Sequence, residues 1–79
     1  MTAATANLAA SIRAALSETR AHPSTPETRR IADLGEGAIR VLAIGHEDTA
    51  RRLVLDAGRV AGPADLRRTW RLVLLDNPR

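Results

Sequence analysis

Between residues 22 and 27 the chain reads His-Pro-Ser-Thr-Pro-Glu, and these six residues constrain the fold more than any others. The residue before a proline is pushed out of the α region, so His22-Pro23 stops whatever helix precedes it. Thr25 as N-cap then places Pro26 at the first helical position, where its missing N–H costs nothing. Ser24 as cap would instead form a Ser-x-x-Glu capping box with Glu27. Both readings start a second helix within one residue of each other. A short connection between a helix that stops and another that starts favours packing of the two as neighbours, which points to an antiparallel bundle.

Similar punctuation recurs further on. Gly45-His46 breaks the chain, and Glu47-Asp48 follow where acids complement the positive end of a new helix dipole. Gly58 reads as a C-cap, Gly62-Pro63 as another start, and Asn77-Pro78 as a stop. The expected helices are residues 3–21, 26–44, 47–58 and 63–76.

Apolar spacing inside these segments is helical. Leu8, Ile12, Ala15, Leu16 and Thr19 make a narrow stripe on the Ala-rich first helix. Ile31, Leu34, Ala38, Val41 and Leu42 share a face of the second, flanked by Ile39 and Ile44. Ala50, Leu53, Val54 and Ala57 line the third, and Leu66, Trp70, Val73 and Leu74 the fourth. Gly35 and Gly37 inside the second helix each cost roughly 1 kcal/mol against Ala. Either a close neighbour or a kink would have to offset that cost. The β-branched run over 38–45 leaves a strand open there, although its apolar residues do not alternate.

These readings give one all-α domain over residues 1–79, a small four-helix bundle with short loops. Residues 1–23 form its N-terminal arm, 24–58 a central helical hairpin and 63–76 its last helix. With 79 residues the chain is near the lower size limit for folding by burial alone. One Trp is its only aromatic residue, and it has no Cys. A core so poor in large side chains favours a chain that gains stability from a partner or a second copy. The lack of Cys excludes disulfides and thiolate chemistry and suits a reducing cytoplasm. No apolar run reaches the ~20 residues that span a bilayer, and the N-terminus reads as a helix rather than a signal peptide.

All twelve basic residues are Arg. Arg without Lys, beside so much Ala, reads as codon bias and weakens any inference from basicity to nucleic acid. Residues 1–23 hold two Arg and one acid, 24–62 six of each, and 63–79 four Arg and two acids. In the central part Arg29 falls four residues from Asp33, Arg40 from Glu36, Arg51 from Glu47, and Arg52 from both Asp48 and Asp56. Such pairs make ordinary solvated helix faces. The last segment keeps the largest excess, and Arg67, Arg68, Arg71 and Arg79 are the candidate phosphate contacts if the chain is a dimeric nucleic-acid-binding regulator.

No catalytic, cofactor or metal constellation is present. His22 and His46 sit at opposite helix boundaries without the further ligands that ordered metal spacing needs. Ser11, Ser17 and Ser24 have no His and acid in a recognisable arrangement, and Glu47-Asp48 diverge by about 100° on a helix. Leu34, Gly35, Gly37 and Ala38, followed by His46-Glu47-Asp48-Thr49-Ala50-Arg51-Arg52-Leu53, resemble one tetratricopeptide-type hairpin over roughly residues 31–61. The aromatic positions of that repeat are missing, and a solenoid needs about three repeats. The resemblance is one of helix-hairpin grammar and implies no function.

A second set of leucines remains. Leu55 lies opposite its helix's buried stripe, beside Arg52 and Arg59. Leu72 and Leu75 lie opposite the Leu66/Trp70/Val73 stripe, near Arg68. An apolar pair on a last helix, rimmed by Arg, has the composition of an interface. The expected function is a non-catalytic helical protein–protein interaction module, homodimeric and cytoplasmic, with an accessory or regulatory role. Leu55, Leu72, Leu75 and Arg68 are its expected interface.

Overall fold

A computed structural model describes residues 2–79. Four helices follow one another: α1 Ala3–Ala21, α2 Pro26–Ala43, α3 Glu47–Val60 and α4 Ala64–Asp76. Each packs on its neighbours in sequence, and α4 closes the bundle by returning to α1. Residues 38–43 are helical, so the strand alternative is set aside; the β-branched residues there are carried by the burial of Ala38 and Leu42. The four helices share a single closed core.

Local chemistry accounts for the boundaries. Thr2 caps α1 by accepting from the Thr5 N–H at 3.1 Å. At α2 the capping box is Thr25 with Thr28. Thr25 Oγ1 accepts from the Thr28 N–H at 3.1 Å, while Thr28 Oγ1 accepts from the Thr25 N–H at 2.8 Å. The hydroxyl of Thr28 also donates to the Pro23 carbonyl at 3.1 Å, tying the cap back to the preceding loop. Ser24 and Glu27 form no box. α2 ends where Gly45 adopts a φ of +90°, the left-handed conformation that glycine reaches without a Cβ penalty. The His46 N–H then returns to the Val41 carbonyl at 2.9 Å and the Gly45 N–H to Leu42 at 3.1 Å, a Schellman closure.

Two boundaries differ from the sequence reading. α3 runs through Gly58 to Val60 and is capped by Ala61, because Gly58 is a buried packing position against α4 and not a terminator. Pro63 is the N-cap of α4 in an extended conformation, so the helix starts at Ala64.

The core joins all four helices through Leu8, Ile12, Leu16, Ile31, Leu42, Val54, Leu66 and Trp70, with alanines filling the closer contacts. Trp70 is fully buried. Its indole Nε1–H donates to Thr19 Oγ1 at 3.0 Å, and that hydroxyl donates in turn to the Ala15 carbonyl at 2.8 Å. A buried N–H is thereby satisfied through one α1 side chain. Among the described residues no buried side-chain nitrogen or oxygen lacks a partner. Gly35 explains its own cost: a Cβ there would lie 2.5 Å from Trp70 Cη2 and 2.7 Å from Leu16 Cδ2. The close neighbours are thus a ring from α4 and a side chain from α1. Gly37 meets no such crowding; its Cβ would sit 3.5 Å from Leu53 Cδ1.

Candidate protein interface

Helix α4 has two apolar faces. The inner face carries Leu66, Trp70 and Val73 into the core. At about 100° per residue, Leu72 and Leu75 stand roughly 160° and 140° from Trp70, about 60° from each other. Among the described residues four large apolar side chains are exposed: Leu75 and Ile44 at 71%, Leu55 at 43% and Leu72 at 42%. The three leucines expected on the surface are therefore there. Ile44 is the addition, since the end of α2 at Ala43 leaves it as a C-cap instead of a flank of the buried arc.

The leucines do not form one flat patch. Leu55 and Leu75 line a groove of about 320 Å³ between α3 and α4, together with Val54, Leu74, Arg59 and Arg71. A neighbouring recess shares Leu55 and Leu74 and extends past Arg52 to Pro78 and Arg79. Leu72 lies on the opposite flank, where it lines a furrow between α1 and α4 with Ala14, Glu18, Thr69 and Asp76. The crest of α4, carrying Arg68, Leu72 and Leu75, separates a basic groove from an acidic furrow.

Charge pairing departs from the four-residue pattern. Only Glu47 and Arg51 pair as spaced, at 3.1 Å. Glu36 turns to Arg20 on α1 instead of Arg40, and Asp48 takes Arg79 instead of Arg52. Packing of neighbouring helices offers these acids an Arg from outside their own helix, and exposed pairs differ too little in energy for sequence spacing to decide. His22 Nε2 meets Asp65 at 2.8 Å, joining the α1–α2 loop to the start of α4. Among the described residues Arg52, Arg59, Arg67, Arg68, Arg71 and Asp76 have no ion-pair partner. Of the four candidate phosphate contacts, Arg67, Arg68 and Arg71 are thus unpaired and Arg79 is engaged.

Asn77 was legible in the sequence only as a terminator, yet it pins the end of α4 to two other helices. Its amide donates to Ser11 Oγ at 3.0 Å and to the Val73 carbonyl at 2.7 Å, while its own carbonyl accepts from Arg51 at 2.6 Å. The last turn, which presents Leu72, Leu75 and Asp76, is held in place by these contacts.

Among the described residues no group of three or more His, Asp or Glu side chains is placed to hold a metal ion, and no helix is long and apolar enough to cross a membrane. Comparison with protein-family models, curated proteins and solved structures finds no match for this chain.

Proposed function

We propose that this chain is a small non-catalytic interaction module with an accessory or regulatory role, working in the cytoplasm as a homodimer that presents its helical surface to another protein. The observation that carries this reading is the second apolar face of α4. The core is complete without Leu72 and Leu75, and a fixed last turn holds both in water, flanked by the unpaired Arg68. The area of these two side chains still exposed corresponds to about 2–3 kcal/mol per copy when covered, before the cost of association. Over two copies that only matches the lower range of the association cost, so the leucines support a weak dimer only together with further contacts.

The test is the oligomeric state of the wild type and of Leu72→Glu/Leu75→Glu, by sedimentation and light scattering up to high micromolar concentration, with circular dichroism as the folding control. The wild type should dimerise, and the double variant should be a folded monomer. A wild type that stays monomeric throughout, with a variant that keeps every partner recovered from nuclease-treated lysate, would defeat the reading.

Three unpaired guanidinium groups on α4 support a second reading, a dimeric regulator that grips phosphates through Arg67, Arg68 and Arg71. It requires binding that falls steeply with salt and weakens equally for all sequences when these three become Ala. We expect no retention of duplex or single-stranded nucleic acid even at low salt, because Arg79 is held by Asp48 and three contacts give little affinity.

A further inference from the structure

The spacing of charges along the crest of α4 is self-complementary. Arg68 lies four residues before Leu72, and Asp76 lies four residues after it. At 1.5 Å per residue each charge sits about 6 Å from Leu72 along the helix axis, in opposite directions. Turning the helix end over end about Leu72 therefore places a cation where there was an anion. All three side chains are exposed, and among the described residues neither charge has an ion-pair partner.

We propose that a second copy of this chain covers the crest, with the two α4 helices antiparallel about a twofold axis beside Leu72. In this arrangement Arg68 meets the partner's Asp76, and symmetry gives the same pair again at the other end. Leu72 meets its own symmetry mate. Leu75 packs between the partner's Leu72 and the aliphatic stem of the partner's Arg68, so four leucines make the centre and two ion pairs bound it. A parallel pairing would set Arg68 against Arg68 and Asp76 against Asp76. Pairing through the α3–α4 groove would bring the unpaired Arg59 and Arg71 that line it in both copies together, and no acid lines that groove. Like-charge contacts disfavour both alternatives.

This inference rests on the reading of the Leu72/Leu75 face as a self-association surface, and charge reversal separates the two. Arg68→Glu alone turns both ion pairs into repulsions, as does Asp76→Arg alone. Each should weaken dimerisation by about tenfold or more, equivalent to about 1.4 kcal/mol. Arg68→Glu/Asp76→Arg together restores both pairs with their signs exchanged and should recover association to within about threefold, since coupled sites are not additive. The chain has no cysteine, which permits a second measurement. Leu72→Cys should cross-link to its symmetry mate on oxidation, whereas Arg13→Cys on the exposed side of α1 should not. If Leu72→Glu abolishes association while the two reversals add without rescue, the antiparallel register is wrong and the interaction reading stands. If the wild type stays monomeric and Leu72→Cys cross-links no faster than Arg13→Cys, the pairing does not form.

Discussion

Helix α4 allows a comparison between two apolar faces of the same thirteen residues. On the inner face every group meets a specific counterpart: Trp70 has a hydroxyl for its N–H and a glycine beneath its ring, and Leu66 and Val73 are buried. On the outer face Leu72, Leu75, Arg68 and Asp76 are equally well placed on a helix but stay exposed, and among the described residues neither charge has an ion-pair partner. Hydrophobicity and helix propensity do not distinguish the faces. What differs is whether other elements supply shape and hydrogen bonds to receive them. An apolar face with tailored counterparts specifies the monomer, and one without them is left to specify an assembly.

The largest expected effect breaks the inner face. Trp70→Ala removes the only aromatic side chain and leaves a cavity where α1, α2 and α4 meet, at a cost of about 3–5 kcal/mol. A domain of this size has a total stability of that order. Urea denaturation followed by circular dichroism should show a variant that is partly or wholly unfolded in buffer. A midpoint shift of under about 1 kcal/mol would mean that Trp70 is not the keystone of the core.

A smaller effect sharpens the same point with two glycines two residues apart. Ala at Gly35 gains about 1 kcal/mol of helix propensity but drives a methyl into Trp70 and Leu16, an overpacking that costs about 1–3 kcal/mol. Ala at Gly37 gains the propensity and meets only an ordinary contact with Leu53. Gly35→Ala should therefore destabilise by about 1 kcal/mol and Gly37→Ala should stabilise by about 0.5–1 kcal/mol. Equal shifts for the two variants would show that the Trp70 seat relaxes freely.

The architecture was open to sequence reading because most boundaries had a local cause; the end of α3 did not, since Gly58 packs against α4 instead of ending the helix. Thr25-Pro26, Gly45 and Asn77-Pro78 act within a few residues of themselves, and the helical spacing of Leu8, Ile12 and Leu16 needs no tertiary information. The exposed Leu55, Leu72 and Leu75 could be read for the same reason, as angular position follows from residue number alone. Features that depend on two distant segments could not be read. Nothing local tells that Gly35 makes room for a ring thirty-five residues away, that Thr19 receives its N–H, or that Asn77 holds Ser11 and Arg51. Surface ion pairs fail for an energetic reason: Glu36 chooses Arg20 over Arg40 between alternatives separated by less than about 1 kcal/mol. The split of the leucines between a groove and a furrow depends on where α1 and α3 flank α4, which the spacing within α4 does not contain.

The smallest effect on the monomer belongs to the outer face, and it is the most discriminating. Leu75 is 71% exposed, and Gln matches its helix propensity without adding charge to a last turn that has no basic residue. At low protein concentration Leu75→Gln should leave stability within about 0.5 kcal/mol of the wild type, as for any surface substitution away from a packed feature. Dimerisation adds a second condition, because a species that binds only the folded state raises apparent stability with its own concentration. The wild-type unfolding midpoint should therefore climb as protein concentration increases a hundredfold, while that of Leu75→Gln should climb less. A wild-type midpoint independent of concentration would place the outer leucines in solvent with no role in self-association. A loss of stability in Leu75→Gln at every concentration would instead show that Leu75 belongs to the monomer, packed against the Leu55 side of the groove, and that the contrast between the two faces of α4 is one of degree.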